Sequence, residues 1–134
     1  MKDSLTIAIP LYNEEESVKN LHFVLTPIIE RLQSERTINT ILVNDGSTDN
    51  TKKLLFEYFS KITNLEIINH ENNLNLGGFL NTIINNCETD LVVFLDSDCT
   101  FDPQYILDML EILDENTDII NCLLYTSPSP RDGT

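Results

Sequence analysis

Between Lys61 and Arg131 the chain carries no Lys or Arg, although the same stretch holds twelve acids from Glu66 to Asp118. Over all 134 residues there are 8 basic and 22 acidic side chains, a formal net charge of −14. A nucleic-acid binder needs a basic face to displace phosphate counterions, so that class is excluded. An anionic ligand in the basic-free half must be held by a metal cation, backbone N–H groups or helix N-termini. Most of these acids read simply as a solvated face. Cysteine is scarce too. Cys87, Cys99 and Cys122 form an odd set with no C-x-x-C pair, which excludes a zinc site and a disulfide framework and favours a reducing compartment. Long apolar runs are missing: Leu5 to Leu11 is broken by Thr6 and Pro10, too short for a signal peptide, and nothing approaches the ~18 residues of a membrane span. The chain is expected to be soluble and cytoplasmic.

What is present is an ordinary globular composition, 41% hydrophobic, in one domain's length. Four runs, Leu5–Ile9, Thr40–Asn44, Leu65–Asn69 and Leu91–Leu95, are nearly all apolar, as strands buried on both faces of a parallel sheet are. Helical periodicity fills the gaps. It covers Glu14 to Gln33, with Pro27 predicting a kink or an early end near Thr26, then Thr51 to Lys61, Gly78 to Cys87 and Pro103 to Leu113. Asp102-Pro103 reads as an N-cap followed by Pro at the first helical position. A fifth strand is expected at Asp118–Leu123. Repeated strand–helix alternation predicts an α/β fold, a Rossmann-like parallel sheet with flanking helices.

Ligands of open parallel sheets bind beyond the carboxyl ends of the strands. All four predicted exits carry polar or glycine-containing segments: Pro10-Leu11-Tyr12-Asn13-Glu14, Asn44-Asp45-Gly46-Ser47-Thr48-Asp49, Asn72-Asn73-Leu74-Asn75-Leu76-Gly77-Gly78 and Asp96-Ser97-Asp98. Before residue 125 the only glycines are Gly46, Gly77 and Gly78, all at these exits, where unusual dihedrals or close backbone approach are needed. Any one exit could be turn chemistry; four together predict a site. Asp96 and Asp98, two apart in an extended segment, fall on one face and can share a divalent cation.

In order, Pro-x-Tyr-Asn-Glu, Val43-Asn44-Asp45-Gly46-Ser47-Thr48-Asp49 and the D-x-D at Asp96–Asp98 resemble the family 2 glycosyltransferases of the GT-A fold, from about Ser4 to Ile120. The resemblance implies transfer of a hexose from a nucleotide-diphosphate sugar, a UDP- or GDP-sugar, with inversion at the sugar carbon. It implies nucleotide contacts from Pro10, Tyr12, Glu14, Asp45 and Asp96: Tyr12 beside the base, Glu14 toward the ribose, and Asp45 accepting a base N–H. Asp96 and Asp98 would hold Mg2+ or Mn2+ on the diphosphate. Local readings stand beside these roles, with Asp45 in an Asx-turn, Glu14 in a first helical turn and Asp49 as an N-cap. Asp96 to Pro103 most resembles the polyprenyl-phosphate sugar synthases, where the position of Thr100 often holds a metal-ligating Gln; the acceptor would be a polyprenyl phosphate or a cell-envelope glycan. Where the family often has a Lys or Arg after strand three, this chain has Asn72, Asn73 and Asn75, so phosphate binding there would rest on amides. His22 and His70 have no partner in the sequence pattern and read as structural.

Two other readings are open. Asp96-Ser97-Asp98-Cys99-Thr100 fits the first motif of haloacid-dehalogenase-like phosphatases, with Asp96 as nucleophile and Asp98 as acid/base. That chemistry requires a downstream Lys, and none follows Lys61. A nucleotide-binding fragment without turnover is the second, since no general base is visible; an ionised phosphate acceptor would need none. An EF-hand loop from Asp96 fails at Phe101 and Leu107. Residues 125–134 change character, with Pro128 and Pro130 and no aliphatic side chain. They read as a flexible tail or as non-native adapter read-through, leaving residues 1–124 as an incomplete glycosyltransferase-like domain, truncated at its C-terminus. Membrane association would then arise only through a missing C-terminal part.

Overall fold

A computed structural model describes residues 4–100 and 102–112. β1 (Leu5–Leu11), β2 (Ile38–Asp45), β3 (Leu65–His70) and β4 (Leu91–Phe94) form one parallel sheet in the order β3-β2-β1-β4. The helices are α1 (Val18–Gln33), α2 (Thr51–Phe59), α3 (Asn75–Asn86) and α4 (Tyr105–Glu111). The expected strand–helix alternation is therefore present. The fifth strand at Asp118–Leu123 and the segment 125–134 lie outside the described residues.

Period-two alternation divides β1 between two cores. Leu5, Ile7, Ile9 and Leu11 join Leu21, Leu25, Ile29 and Leu32 of α1, Leu55 and Phe59 of α2 and Ile106 of α4. Ala8, with Ile41 and Val43 of β2, meets Phe79 and Ile83 of α3 on the opposite face. The sheet order reverses between β1 and β4, and α3 lies across the sheet from α1 and α2. Right-handed crossovers require that change of face at a reversal. The crevice where adjacent loops diverge is the usual ligand position of such sheets.

Full burial on both faces holds only for the central pair. In β3, Glu66 and Asn69 are exposed, and in β4 Val92 and Phe94 are, Phe94 to 48% beside Phe79 at a ring-centroid distance of 5.9 Å. Among the described residues both strands are sheet edges, and an apolar run does not reveal edge position. α1 does not end early near Thr26, since it continues through Pro27 to Gln33. The ~3 kcal/mol penalty of an interior proline is offset by apolar side chains buried before it (Leu21, Leu25) and after it (Ile28, Ile29, Leu32). The helix begins at Val18 rather than Glu14, because Glu14–Ser17 is a turn closed by Ser17 N–H to the Glu14 carbonyl at 2.9 Å. Asp102 keeps a capping role in front of α4, accepting Gln104 N–H on Oδ1 at 3.0 Å.

Candidate active site at the carboxyl ends of the strands

The β1 and β2 exits are clasped together by polar side chains. Asn13 has φ 51°, a left-handed conformation that Asn tolerates better than most residues. Its Oδ1 accepts the N–H groups of Thr48 (2.7 Å) and Asp49 (3.3 Å), and its own N–H donates to Ser47 Oγ at 2.9 Å. Glu14 N–H donates to Thr51 Oγ1 at 2.9 Å, Glu15 N–H to Asp49 Oδ2 at 3.4 Å, and Asn50 N–H to Glu15 Oε1 at 3.0 Å. Asp49 also accepts Thr51 N–H and hydroxyl on Oδ1, at 2.9 and 2.6 Å. Its expected capping role is thus realised just outside α2. Burial opposes ionisation of Asp49, but the Thr51 hydroxyl and the N–H groups of Thr51 and Glu15 outweigh it and hold the carboxyl below its usual range. Glu14 turns its Oε1 to the Ser17 hydroxyl at 3.0 Å, the local helix-start role weighed for it. Tyr12 leaves its side chain open at the site, 47% exposed, and Pro10 is half-buried on β1.

Asp45 ends β2 and is only 5% exposed. Its Oδ1 lies 2.7 Å from His70 Nδ1 and accepts Leu74 N–H at 2.8 Å; its Oδ2 accepts Asn75 N–H at 2.8 Å. Burial works against its charge, yet the bonds from His70, Leu74 and Asn75 prevail and lower its pKa below the ordinary value. His70 Nε2 in turn lies 2.7 Å from Thr82 Oγ1 on α3. The reading of His70 as partnerless is corrected: strand register sets Asp45 opposite His70. His22 keeps a structural place, its ring 5.4 Å from that of Tyr58 and 5.3 Å from that of Phe59. The amides of Leu74 and Asn75 are already spent on Asp45, so phosphate binding through those two N–H groups is closed. Gly46, at φ +73°, runs against the third exit so closely that a Cβ there would lie 2.5 Å from Asn72 C and Asn73 N.

β4 ends at Phe94, and Leu95 N–H bonds to the Ala8 carbonyl at 3.0 Å. Beyond it, Asp96 and Asp98 are exposed while Leu95 and Ser97 are buried. The expected alternation therefore survives past the strand itself, into a turn in which Cys99 N–H reaches the Asp96 carbonyl at 3.3 Å. Asp98 Oδ1 accepts Thr100 N–H at 3.0 Å and its hydroxyl at 2.8 Å, which lowers the Asp98 pKa. Thr100 thus fixes the orientation of the Asp98 carboxylate. Among the described residues no group of three or more His, Cys, Asp or Glu gathers to hold a metal ion. Two exposed carboxylates fit a hard divalent cation that takes its other oxygens from phosphates and water, and do not build an all-protein cage.

Parallel topology, a switch point and four polar exits are those of an α/β domain of the GT-A type. The chain belongs to glycosyl transferase family 2, whose profile matches residues 6–133. It is 30% identical over 133 residues to an uncharacterized glycosyltransferase of Synechocystis sp., covering 99% of this chain and 40% of that protein. It is 32% identical over 120 residues to the undecaprenyl-phosphate 4-deoxy-4-formamido-L-arabinose transferase of Proteus mirabilis, covering 88% of this chain and 36% of that one. The chain thus spans about two-fifths or less of these curated relatives. Among solved structures, S. aureus TarS in complex with UDP-GlcNAc superposes with a TM-score of 0.56 at 28% identity, over 71% of this chain and 26% of TarS. The mannosyltransferase PcManGT from Pyrobaculum calidifontis, in complex with GDP-Man and Mn2+, shares the fold at a TM-score of 0.59 and 20% identity, over 73% of this chain and 28% of that one.

Proposed function

We propose that the protein transfers a hexose from a nucleotide-diphosphate sugar to an acceptor, and that the carboxyl-end crevice described above binds the donor. The observation that carries this is the placement of Asp45 at the end of β2, and of Tyr12 and the exposed pair Asp96 and Asp98 on loops, at one end of a single parallel sheet. Tyr12 offers a ring beside the base, Pro10 a rigid wall, Glu14 an acceptor for the ribose and Asp45 an acceptor for a base N–H. Asp96 and Asp98 would hold Mg2+ or Mn2+ against the diphosphate, and Asp96 would border the nucleotide as well. A divalent cation, when bound, neutralises the charge that builds on the departing diphosphate. The family relationship and the likeness to a UDP-GlcNAc complex support a UDP- or GDP-sugar donor.

The phosphatase alternative has less behind it. Its nucleophile would lie two residues beyond the fourth strand, and the family match favours transfer. The Proteus relative supports a polyprenyl phosphate as acceptor, with a cell-envelope glycan as the other candidate. An acceptor already ionised needs no general base to attack the sugar carbon.

Incubation with UDP- and GDP-sugars, Mn2+ and each acceptor class tests the proposal. Release of nucleoside diphosphate that requires both acceptor and metal, and that falls at least about a hundredfold in Asp96→Asn, is the expected result. Phosphomonoester hydrolysis with trapping at Asp96, or donor binding with no transfer by the full-length protein, would overturn it.

A further inference from the structure

His70 and Thr82 form a half-buried polar chain that the donor-binding proposal leaves unused. The His70 and Asp45 side chains retain only 9% and 7% of their exposure, and the chain joins three elements: Asp45 of β2, His70 of β3 and Thr82 of α3. An ionised carboxylate accepts hydrogen bonds only, so the short 2.7 Å contact sets the hydrogen on His70 Nδ1. The far ring nitrogen then needs a partner of its own, and Thr82 Oγ1 supplies it at 2.7 Å, fixing the rotation of the ring.

A carboxylate has about four acceptor positions. At Asp45, His70 and Leu74 N–H take those of Oδ1, and Asn75 N–H takes one on Oδ2. One acceptor position on Oδ2 is left, and its direction is set by three fixed donors. We propose that His70 and Thr82 are positioning residues for base recognition: they hold Asp45 so that its single open acceptor faces the ring N–H of a nucleotide base. A base with an N–H beside a carbonyl, as in uracil or guanine, donates to that acceptor. Cytosine and adenine present a lone pair at the corresponding ring nitrogen and are repelled by the carboxylate. The inference rests on the nucleotide-sugar reading of the site and adds the origin of its base selectivity.

The test compares dissociation constants for UDP against CDP, and GDP against ADP, with Mn2+ present. The proteins are the unaltered one and the Asp45→Asn, His70→Leu, His70→Asn, Thr82→Val and Thr82→Ser variants, with thermal unfolding as the folding control. The unaltered protein should prefer the N–H-bearing base of one pair by about tenfold to a hundredfold, the worth of a charge-assisted hydrogen bond. His70→Leu and Thr82→Val should bring that ratio to within about threefold by weakening the preferred nucleotide alone. Thr82→Ser, which keeps the hydroxyl, should restore it, and His70→Asn, which keeps a donor toward Asp45, should fall between. A purely structural role would shift melting temperature, or both nucleotides equally, and leave the ratio unchanged. If the ratio collapses in Asp45→Asn but survives in Thr82→Val and in both His70 variants, the positioning role is overturned while the nucleotide reading stands. If the unaltered protein binds no nucleotide, that reading fails and the positioning role with it; selectivity that ignores Asp45 overturns the positioning role alone. Should His70→Leu not fold, Thr82→Val against Thr82→Ser decides.

Discussion

Gly46 and Gly77 stand near the same crevice under opposite constraints. Gly46 has φ +73°, and a Cβ on it would overlap the backbone of Asn72 and Asn73, which cannot swing aside as a flexible side chain could. Gly46→Ala should therefore cost at least about 2 kcal/mol, with left-handed strain and backbone displacement adding. Gly77 lies within α3 with nothing near its missing Cβ. Gly77→Ala should add about 0.5–1 kcal/mol by removing unfolded-state freedom. Urea unfolding of the two variants side by side checks both signs. At Asp45, hydrogen bonds from His70, Leu74 and Asn75 overcome the burial penalty and depress the pKa from 3.8. As pH falls, the unfolded chain takes up this proton before the folded one does. The associated stability is thus complete above the unfolded value and drains as pH falls through the folded value. Asp45→Asn should flatten the acid limb of the stability–pH curve below about pH 4. An unchanged limb would show that the Asp45 carboxylate is not held in its ionised form.

At the level of elements, one asparagine makes several of the hydrogen bonds that join the β1 and β2 loops. Asn13 supplies both the left-handed turn and the acceptor for Thr48 and Asp49 N–H. Asn13→Ala loses both and should cost about 1–3 kcal/mol, while Asn13→Gly keeps the turn and should cost less. Thermal unfolding of the pair separates backbone strain from the lost acceptor. In α1, Thr26 buries its hydroxyl with no hydrogen-bond partner. Thr26→Val, of nearly the same shape, should be neutral or stabilising by up to about 1 kcal/mol. Existence and order of the elements were legible because apolar runs and 3.6-residue periodicity report burial directly. Their ends were not. α3 starts at Asn75 rather than Gly78 because Asp45, thirty positions back, accepts the N–H of Asn75, while Asn75 itself takes φ 62°. Asp45 and His70 could have been paired by aligning the last residues of β2 and β3, since parallel neighbours ending together bring their terminal side chains side by side.

For the whole molecule, the charge of −14 is a self-repulsion that folding concentrates. Raising NaCl from about 20 mM to about 300 mM shortens the Debye length from ~20 Å to ~6 Å. That change should raise the melting temperature, and a fall would mean that attractive pairs dominate. Arg31 pairs with exposed Glu35 at 3.6 Å and His70 contacts Asp45, but 22 acidic side chains face only 8 basic ones, which favours the first outcome. The site was legible as four exits in order, because motif residues at strand ends survive without any knowledge of packing. That no third acid joins Asp96 and Asp98 among the described residues was not legible, since it depends on which other acids the fold brings near. Donor and cation are therefore expected to bind as one unit at this crevice. Calorimetric titration with UDP and GDP, with and without Mn2+, tests that expectation most directly. One nucleotide should bind at least about tenfold more tightly with Mn2+ than without it, and Asp98→Ala should erase the difference. Metal-independent binding, or a metal effect that survives Asp98→Ala, would contradict it.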